Sequence, residues 1–254
     1  MRTLLISDLH LQASQPELTT LAFSLFDKIA RDCDRLFILG DLFEYWIGDD
    51  ACDHTATEVG NRLSSLSRAG VKILVMHGNR DFLLGRRFVE SFGGELIDDD
   101  SITAELGGKE TLLMHGDTLC TDDGQYQFYR RMVRNRGWQT DFLAKTVSER
   151  EATARMIRNT SKARGQRAHT ENIADINEET LKETLVDSNL TRILHGHTHR
   201  PRQHQHNFGD QQIERLVLGD WHTDHAVIAM SDDKNCELLN WNGDALRPLS
   251  DITR

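Results

Sequence analysis

The sequence predicts a single α/β domain in which parallel strands with crossover helices are joined by a second sheet. Three observations carry this. Over residues 1 to about 120, short apolar runs alternate with amphipathic stretches, the pattern of parallel strands linked by helices. Five apolar runs end in Asp, His or Asn: LLISDLH at 4–10, FILGD at 37–41, VMHGNRD at 75–81, LLMHGD at 112–117 and ILHGHTH at 193–199. Strand-like runs then return after residue 190. A chain of 254 residues can bury one such core and carry an insertion.

The elements follow in order. TLLIS opens as a strand. Pro16 suits the first turn of a helix whose apolar face is Leu18, Leu21, Ala22, Leu25, Phe26 and Ile29. RLFIL is the next strand, and residues 55–69 suit a helix that Gly70 terminates in a left-handed conformation before the strand KILVM. From 124 to 187 the strand signal vanishes and the chain turns helical and basic, with eleven Lys and Arg from Arg130 to Arg167. Phe128, Met132, Trp138, Phe142, Leu143 and Val147 give these helices an apolar face. Two readings stand: helices packed on the sheet with a solvated outer side, or a cap over the active site that meets an anionic, partly apolar substrate. After 190, RIL, RLVLG, HAVIAM and CELLNW are expected to complete the second sheet.

Composition narrows the class. A net charge of -10 argues against a nucleic-acid partner, which would call for a basic balance. Cys33, Cys52, Cys120 and Cys236 lack the spacing of a zinc site or a disulfide framework and read as reduced thiols. No leader and no run of membrane-spanning length is read, so a cytosolic chain is expected, peripheral to a membrane at most.

The polar ends of the five runs carry the chemistry. A doubly wound sheet gathers its ligands at the carboxyl ends of its strands, so groups distant in sequence can converge there. Asp8 and His10, two apart, share one face of extended chain, as do His197 and His199. Asp41 can bridge two cations through its paired oxygens, Asn79 offers an amide oxygen and His115 an imidazole nitrogen. Singly, each could be a turn former or a hydrogen-bonded loop residue; together the seven read as a two-metal site. Two divalent ions against two carboxylates leave positive charge for an anion, and phosphate is the natural guest. Mixed oxygen and nitrogen donors favour manganese, iron, cobalt or zinc over calcium or magnesium. Ions about 3.5–4 Å apart can activate a shared water as hydroxide in line with phosphorus, so no side-chain nucleophile is required.

At these residues the sequence resembles the calcineurin-type metallophosphoesterases, whose motifs DLH (8–10), GD (40–41), GNRD (78–81), HGD (115–117) and GHTH (196–199) occur in order. The longer blocks GDLFEYWIGDD at 40–50, HGNRDFLLG at 77–85, HGDTLCTDD at 115–123 and HGHTHRP at 195–201 resemble one family within it, the UDP-2,3-diacylglucosamine diphosphatases of lipid A synthesis. The resemblance implies a metallophosphoesterase sandwich of two mixed β-sheets flanked by helices, one domain over 1–254, with a helical cap insertion at 124–187. It implies Mn2+-dependent cleavage of a UDP-linked diacylated glucosamine to UMP and the 1-phosphate called lipid X, by attack on the uridine-side phosphorus. Residence in the cytoplasm, peripheral on the inner face of the inner membrane through the basic, partly apolar insertion, is expected, with no obligate protein partner.

Carried over residue by residue, Asp8, His10, Asp41 and His199 would hold one ion, and Asp41, Asn79, His115 and His197 the other. Asn79, Arg80, Asp123, Ser161 and His197 match substrate-contacting positions, and Arg80 could also steady charge in the transition state. The chain departs from the family in SKARGQRAHTEN at 161–172, where the usual Asn and Lys are missing: Gly165 replaces the Asn, and Arg164, Arg167 or His169 is left to supply the charge. His195, His204 and Trp221 are read as supporting or packing groups. Two other functions compete: a dinuclear phosphodiesterase or nucleotide diphosphatase acting on a small soluble substrate, which calls for no apolar, basic cap, and a non-catalytic scaffold, which would be expected to lack ligands.

Overall fold

The computed structural model describes residues 1–168 and 175–249, with backbone only for 158–168. Twelve strands in this part form two sheets. The first contains β1 (Thr3–Ile6), β2 (Arg35–Leu39), β3 (Lys72–Met76), β4 (Glu95–Ile97), β10 (Ala226–Ser231), β11 (Cys236–Trp241) and β12 (Leu246–Pro248), in the order β12-β11-β10-β1-β2-β3-β4. The second contains β5 (Ser101–Leu106), β6 (Lys109–Met114), β7 (Arg192–His195), β8 (Arg202–Phe208) and β9 (Gln211–Val217), in the order β5-β6-β7-β9-β8. Both are mixed: β1 to β4 run parallel, as do β6, β7 and β9, with antiparallel strands at the flanks.

The period of two in each strand decides how the layers stack. Leu4 and Ile6 of β1, Leu36 and Ile38 of β2, and Ile73 and Val75 of β3 face helices α1 (Pro16–Lys28), α2 (His54–Arg68) and α3 (Arg86–Ser91). Their neighbours Leu5, Phe37, Leu39, Leu74 and Met76 face the other way, meeting Leu113, Leu194 and Leu216 of the second sheet in a separate core. The outer side of the second sheet, Leu112, Met114, Ile193 and Ile213, is covered by Leu181 and Leu185 of α7 (Glu178–Ser188). The order is therefore helix, sheet, sheet, helix, with apolar runs buried on both faces as parallel strands require.

The helix predicted over 55–69 begins at His54, where the Asp53 side chain accepts from the Ala56 N–H at 2.8 Å. Gly70 follows it at φ +100°, the left-handed terminator that the sequence implied. One expectation is corrected. The strands after 190 do not all complete the second sheet: β7 and β9 do, but β10 pairs antiparallel with β1 and brings β11 and β12 into the first sheet. The otherwise open edge of β1 is the cause, since an unpaired strand at the middle of a buried layer would leave its backbone groups unsatisfied.

Among the described residues the basic stretch holds four helices: α4 (Gly124–Val133), α5 (Arg136–Leu143), α6 (Val147–Ala168) and α7. The last of these belongs to the outer layer of the second sheet, whereas α5 and α6 meet the helical core of the first through Phe142, Trp138 and Ala154. No helix among the described residues is long and apolar enough to cross a membrane.

Candidate active site

All seven residues singled out from the sequence lie just past strand ends, on the rim where both sheets meet. Asp8 and His10 follow β1, Asp41 follows β2, Asn79 follows β3, His115 follows β6, and His197 and His199 follow β7. Six non-glycine residues among those described have positive φ, and five of them belong to this set: Asp8, His10, Asp41, His197 and His199 at 51° to 65°. Left-handed backbone costs a non-glycine residue about 1–2 kcal/mol, and its concentration here marks a site whose side chains are aimed at the expense of local comfort.

The distances describe one cluster. His199 Nε2 lies 3.3 Å from Asp8 Oδ1, and His10 Nε2 lies 3.4 Å from His199 Nε2. Asp41 Oδ2 stands between the two halves, 3.9 Å from His10 Nε2 and 3.8 Å from His115 Nε2. Asn79 Oδ1 is 3.0 Å from His115 Nε2 and 2.9 Å from His197 Nδ1. Two sets of donor atoms could each hold a metal ion, Asp8 with His10 and His199, and Asp8 with Asp41 and His115.

Contacts behind the rings, one hydrogen bond and two ion pairs, test whether a cation fits. His115 Nδ1 is 2.9 Å from the Leu39 carbonyl, which accepts only, so Nδ1 carries the proton and Nε2 presents a lone pair. That lone pair faces the Asn79 amide oxygen, another acceptor. His10 Nδ1 is 3.2 Å from the Glu44 carboxylate and His199 Nδ1 is 3.5 Å from Asp220, which turns the Nε2 lone pairs of His10 and His199 toward each other. Acceptors facing acceptors repel unless a proton or a metal cation lies between them, so the donor set fits divalent ions.

The electrostatics agree. Burial pushes the Asp41 carboxyl up to about 6 despite the pull of His115 and His10, so its ionised form needs a cation nearby. Burial lowers His10, but the Glu44 carboxylate at its back and the charges of Asp41 and Asp8 outweigh it and take the ring up to about 9. His197, buried beside His115, is lowered to about 3 and stays neutral. The field of the carboxylates thus draws positive charge into the cluster.

The remaining predicted residues are placed as follows. The Arg80 backbone N–H donates to Asp41 Oδ1 at 2.7 Å, which ties the residue to the cluster. Asp123 caps α4 by accepting from the Tyr126 N–H at 2.9 Å. Ser161, Gly165, Arg164 and Arg167 lie on the backbone of α6 with side chains outside the described part, and His169 lies outside the described residues. His195 is fully buried, lowered to about 4 by burial and Arg215, and donates to no ion-facing group; Trp221 is 5 % exposed and packs in the helical core.

Three buried carboxylates carry roles that the sequence reading missed. Asp81 accepts from the Leu42 N–H at 2.8 Å and the Gly78 N–H at 2.8 Å, and from the Asp41 N–H at 3.3 Å, tying the loops after β2 and β3 together. Asp117 accepts from the Tyr126 hydroxyl at 2.6 Å and Arg130 Nε at 2.7 Å, fixing α4 over the site, where the Tyr126 ring lies 5.8 Å from His197. Glu44 stands behind His10. Asp81 and Asp117 end motifs already noticed, GNRD and HGD, and that terminal position was the available signal. Asp81→Ala is expected to cost about 2–4 kcal/mol, because it strands several buried N–H groups that a charged acceptor now satisfies. Chemical denaturation checks this; a loss under about 1 kcal/mol would show that water replaces the carboxylate.

A family model described as calcineurin-like phosphoesterase matches residues 1–201. A UDP-2,3-diacylglucosamine hydrolase of Hahella chejuensis is 40% identical over 240 residues, 94% of this chain and 97% of that protein. A protein of the same name from Xanthomonas oryzae pv. oryzae is 40% identical over 239 residues, 92% of this chain and 96% of its own. Another from Chromohalobacter salexigens is 41% identical over 222 residues, 87% of this chain and 89% of its own.

Proposed function

Since the chain belongs to the calcineurin-like phosphoesterase family, and within it to the UDP-2,3-diacylglucosamine hydrolases, we propose that it cleaves the diphosphate of UDP-2,3-diacylglucosamine to UMP and 2,3-diacylglucosamine 1-phosphate. The observation that carries this reading is the seven-residue donor cluster lying beneath a helical projection with apolar side chains in solvent. Asp8, His10, Asp41 and His199 would hold one divalent ion, and Asp41, Asn79, His115 and His197 a second, with manganese favoured by the mixed donors. When bound, such ions neutralise phosphate charge and activate water.

The chain's own residues supply the rest. Asp41 draws the two halves of the cluster together, and the neutral His197 can donate to a phosphate oxygen without competing for positive charge. Arg80, held by its backbone to Asp41, offers a guanidinium to the diphosphate and steadies charge as it grows on the leaving oxygen. Asn79, Asp123, Ser161 and Arg167 are proposed to bind substrate as well. Water adds to the phosphorus nearer uridine, the bond from that phosphorus to the bridging oxygen breaks, and the bridging oxygen leaves with the sugar phosphate. Hydrolysis in ¹⁸O-labelled water with Mn2+ tests this directly, with label expected in UMP; label in the lipid product would refute the assignment, and full activity in excess chelator would refute the dinuclear site.

Helices α4 to α6 are proposed as the cap within the 124–187 insertion. Phe128 is 67 % exposed and Met156 64 %, with Met132, Leu143 and Val147 also reaching solvent among Arg131, Arg136 and Lys145. Apolar side chains ringed by cations suit acyl chains and an anionic bilayer surface, so the chain is proposed to work at the cytoplasmic face of the inner membrane as a peripheral protein. Phe128→Asp with Met156→Asp is expected to slow the diacylated substrate by about tenfold or more, the value of one buried apolar side chain, and to leave bis(p-nitrophenyl) phosphate within about twofold. Equal losses would indicate a small soluble substrate and a segment that only supports the fold.

A further inference from the structure

The loops after β1 and β2 are zipped together by backbone. His10 N–H donates to Asp41 O at 3.0 Å, Leu11 N–H to Leu42 O at 3.0 Å, and Glu44 N–H to Leu11 O at 3.2 Å, around a parallel bridge between Leu11 and Phe43. This pairing carries Glu44 to the back of the His10 ring. Glu44 is 9 % exposed, and its Oε2 lies 3.2 Å from His10 Nδ1 while His10 Nε2 points into the donor cluster.

The three imidazoles with Nε2 in the cluster are backed differently. His115 leans on a neutral carbonyl, that of Leu39. His199 faces Asp220 at 3.5 Å, a pair in which the side chains are 38% and 29% exposed, so water competes for both. His10 alone of these has a buried carboxylate at its back, an ion-pair contact of 3.2 Å that is not aligned as a hydrogen bond and leaves Nδ1 without another partner among the described residues, with side chains 16% and 11% exposed. A carboxylate behind an imidazole fixes the tautomer, stops the ring from turning and raises the basicity of the other nitrogen; removing such a partner typically weakens metal binding by about 10–100-fold.

We propose that Glu44 is a positioning residue for the site: by gripping His10 from behind it sets the affinity of the ion held with Asp8 and His199, and leaves the ion beside His115 and Asn79 to neutral support. This rests on the dinuclear reading above. The two ions should therefore bind with separable affinities, and Glu44 should act on one of them.

Isothermal titration of the metal-free protein with Mn2+ alone tests this, using wild type, Glu44→Ala, Glu44→Gln and His10→Ala. Glu44→Ala is expected to weaken one binding event by about 10–100-fold and to leave the other within about threefold. Glu44→Gln, which keeps an acceptor for Nδ1–H and loses the charge, is expected to fall between Glu44→Ala and wild type. In assays the Mn2+ concentration for half-activation should rise in Glu44→Ala while the rate at saturating Mn2+ returns to near wild type. Unchanged titration in Glu44→Ala, with His10→Ala clearly impaired, would overturn the role of Glu44 and spare the metal site. Two events weakened alike in Glu44→Gln, together with a lower melting temperature in chelator, would overturn it in favour of a structural role. A His10→Ala protein that binds Mn2+ as wild type does would bring down the dinuclear reading and the proposal with it.

Discussion

Asp41→Asn is expected to lower the rate of hydrolysis by about a thousandfold or more while the metal-free protein keeps its stability. Asn tolerates the φ of 53° that position 41 adopts, fills the same volume and can still accept from the Arg80 N–H, so backbone and packing are preserved. What disappears is the charge placed 3.9 Å from His10 Nε2 and 3.8 Å from His115 Nε2. Losing one carboxylate shared by both halves removes several kcal/mol of support for the ions and hence for transition-state charge, and each 1.36 kcal/mol is about tenfold in rate. The stability expectation follows from burial, which pushes Asp41 up to about 6. A group raised in the folded state above its unfolded value opposes folding once pH passes the unfolded value, so removing it should leave the melting temperature in chelator at pH 7 unchanged or higher. Asp41→Ala should be at least as inactive. A rate within tenfold of wild type for Asp41→Asn would contradict the bridging role.

The second large effect is expected from a single methyl group that has no chemistry of its own. A Cβ on Gly78 would lie 2.0 Å from Asp41 Oδ1 and 2.3 Å from Asp41 N, so the loops after β2 and β3 could not keep their separation. Gly78→Ala should lower kcat by about a hundredfold, the scale on which a displacement near 1 Å acts on a catalytic group. It should also destabilise by about 1–3 kcal/mol through overpacking. Gly124→Ala is the control, since a Cβ there meets nothing within 4 Å and the residue opens α4. That variant should match wild type in rate and stability. If Gly78→Ala has wild-type kcat, the close approach of the two loops is not what aims Asp41.

The strands with strong apolar runs, and the meeting of the seven proposed donors past their ends, were legible because both depend on local pattern; β4, β5, β8 and β12, short or largely exposed, were not. An apolar run that ends in Asp, His or Asn identifies itself, and parallel topology then dictates where the ends meet. What was not legible depends on partners remote in sequence. Glu44, Asp81 and Asp117 are carboxylates among many, and only the fold brings Asp81 to the Leu42 and Gly78 N–H groups or Asp117 to Arg130. The destination of β10 was hidden for the same reason: a run such as AVIAM is buried on both faces in either sheet, and the free edge of β1 decides. Within the insertion, apolar spacing predicted a continuous face, yet Phe142 turns into the core and stacks on Trp138 while Phe128 and Met132 point to solvent. Periodicity identifies a stripe without saying what covers it.

The placement of the site across two sheets has a mechanical consequence. Asp8, His10, Asp41 and Asn79 ride on the first sheet and His115, His197 and His199 on the second, so the cluster works as a vernier that reads how one layer is seated on the other. No disulfide sets that seating; the leucines, Phe37 and Met76 between the layers do, with hydrogen bonds at the rim such as His115 to the Leu39 carbonyl and the His197 N–H to Asp8. A slip of half an ångström there would be minor for a hydrophobic core, which can repack, but it would move one bank of donors as a body past the other and change the distances between them together. Drift between the sheets, whether thermal or inherited through substitutions in that seam, should therefore degrade metal geometry well before it melts the protein.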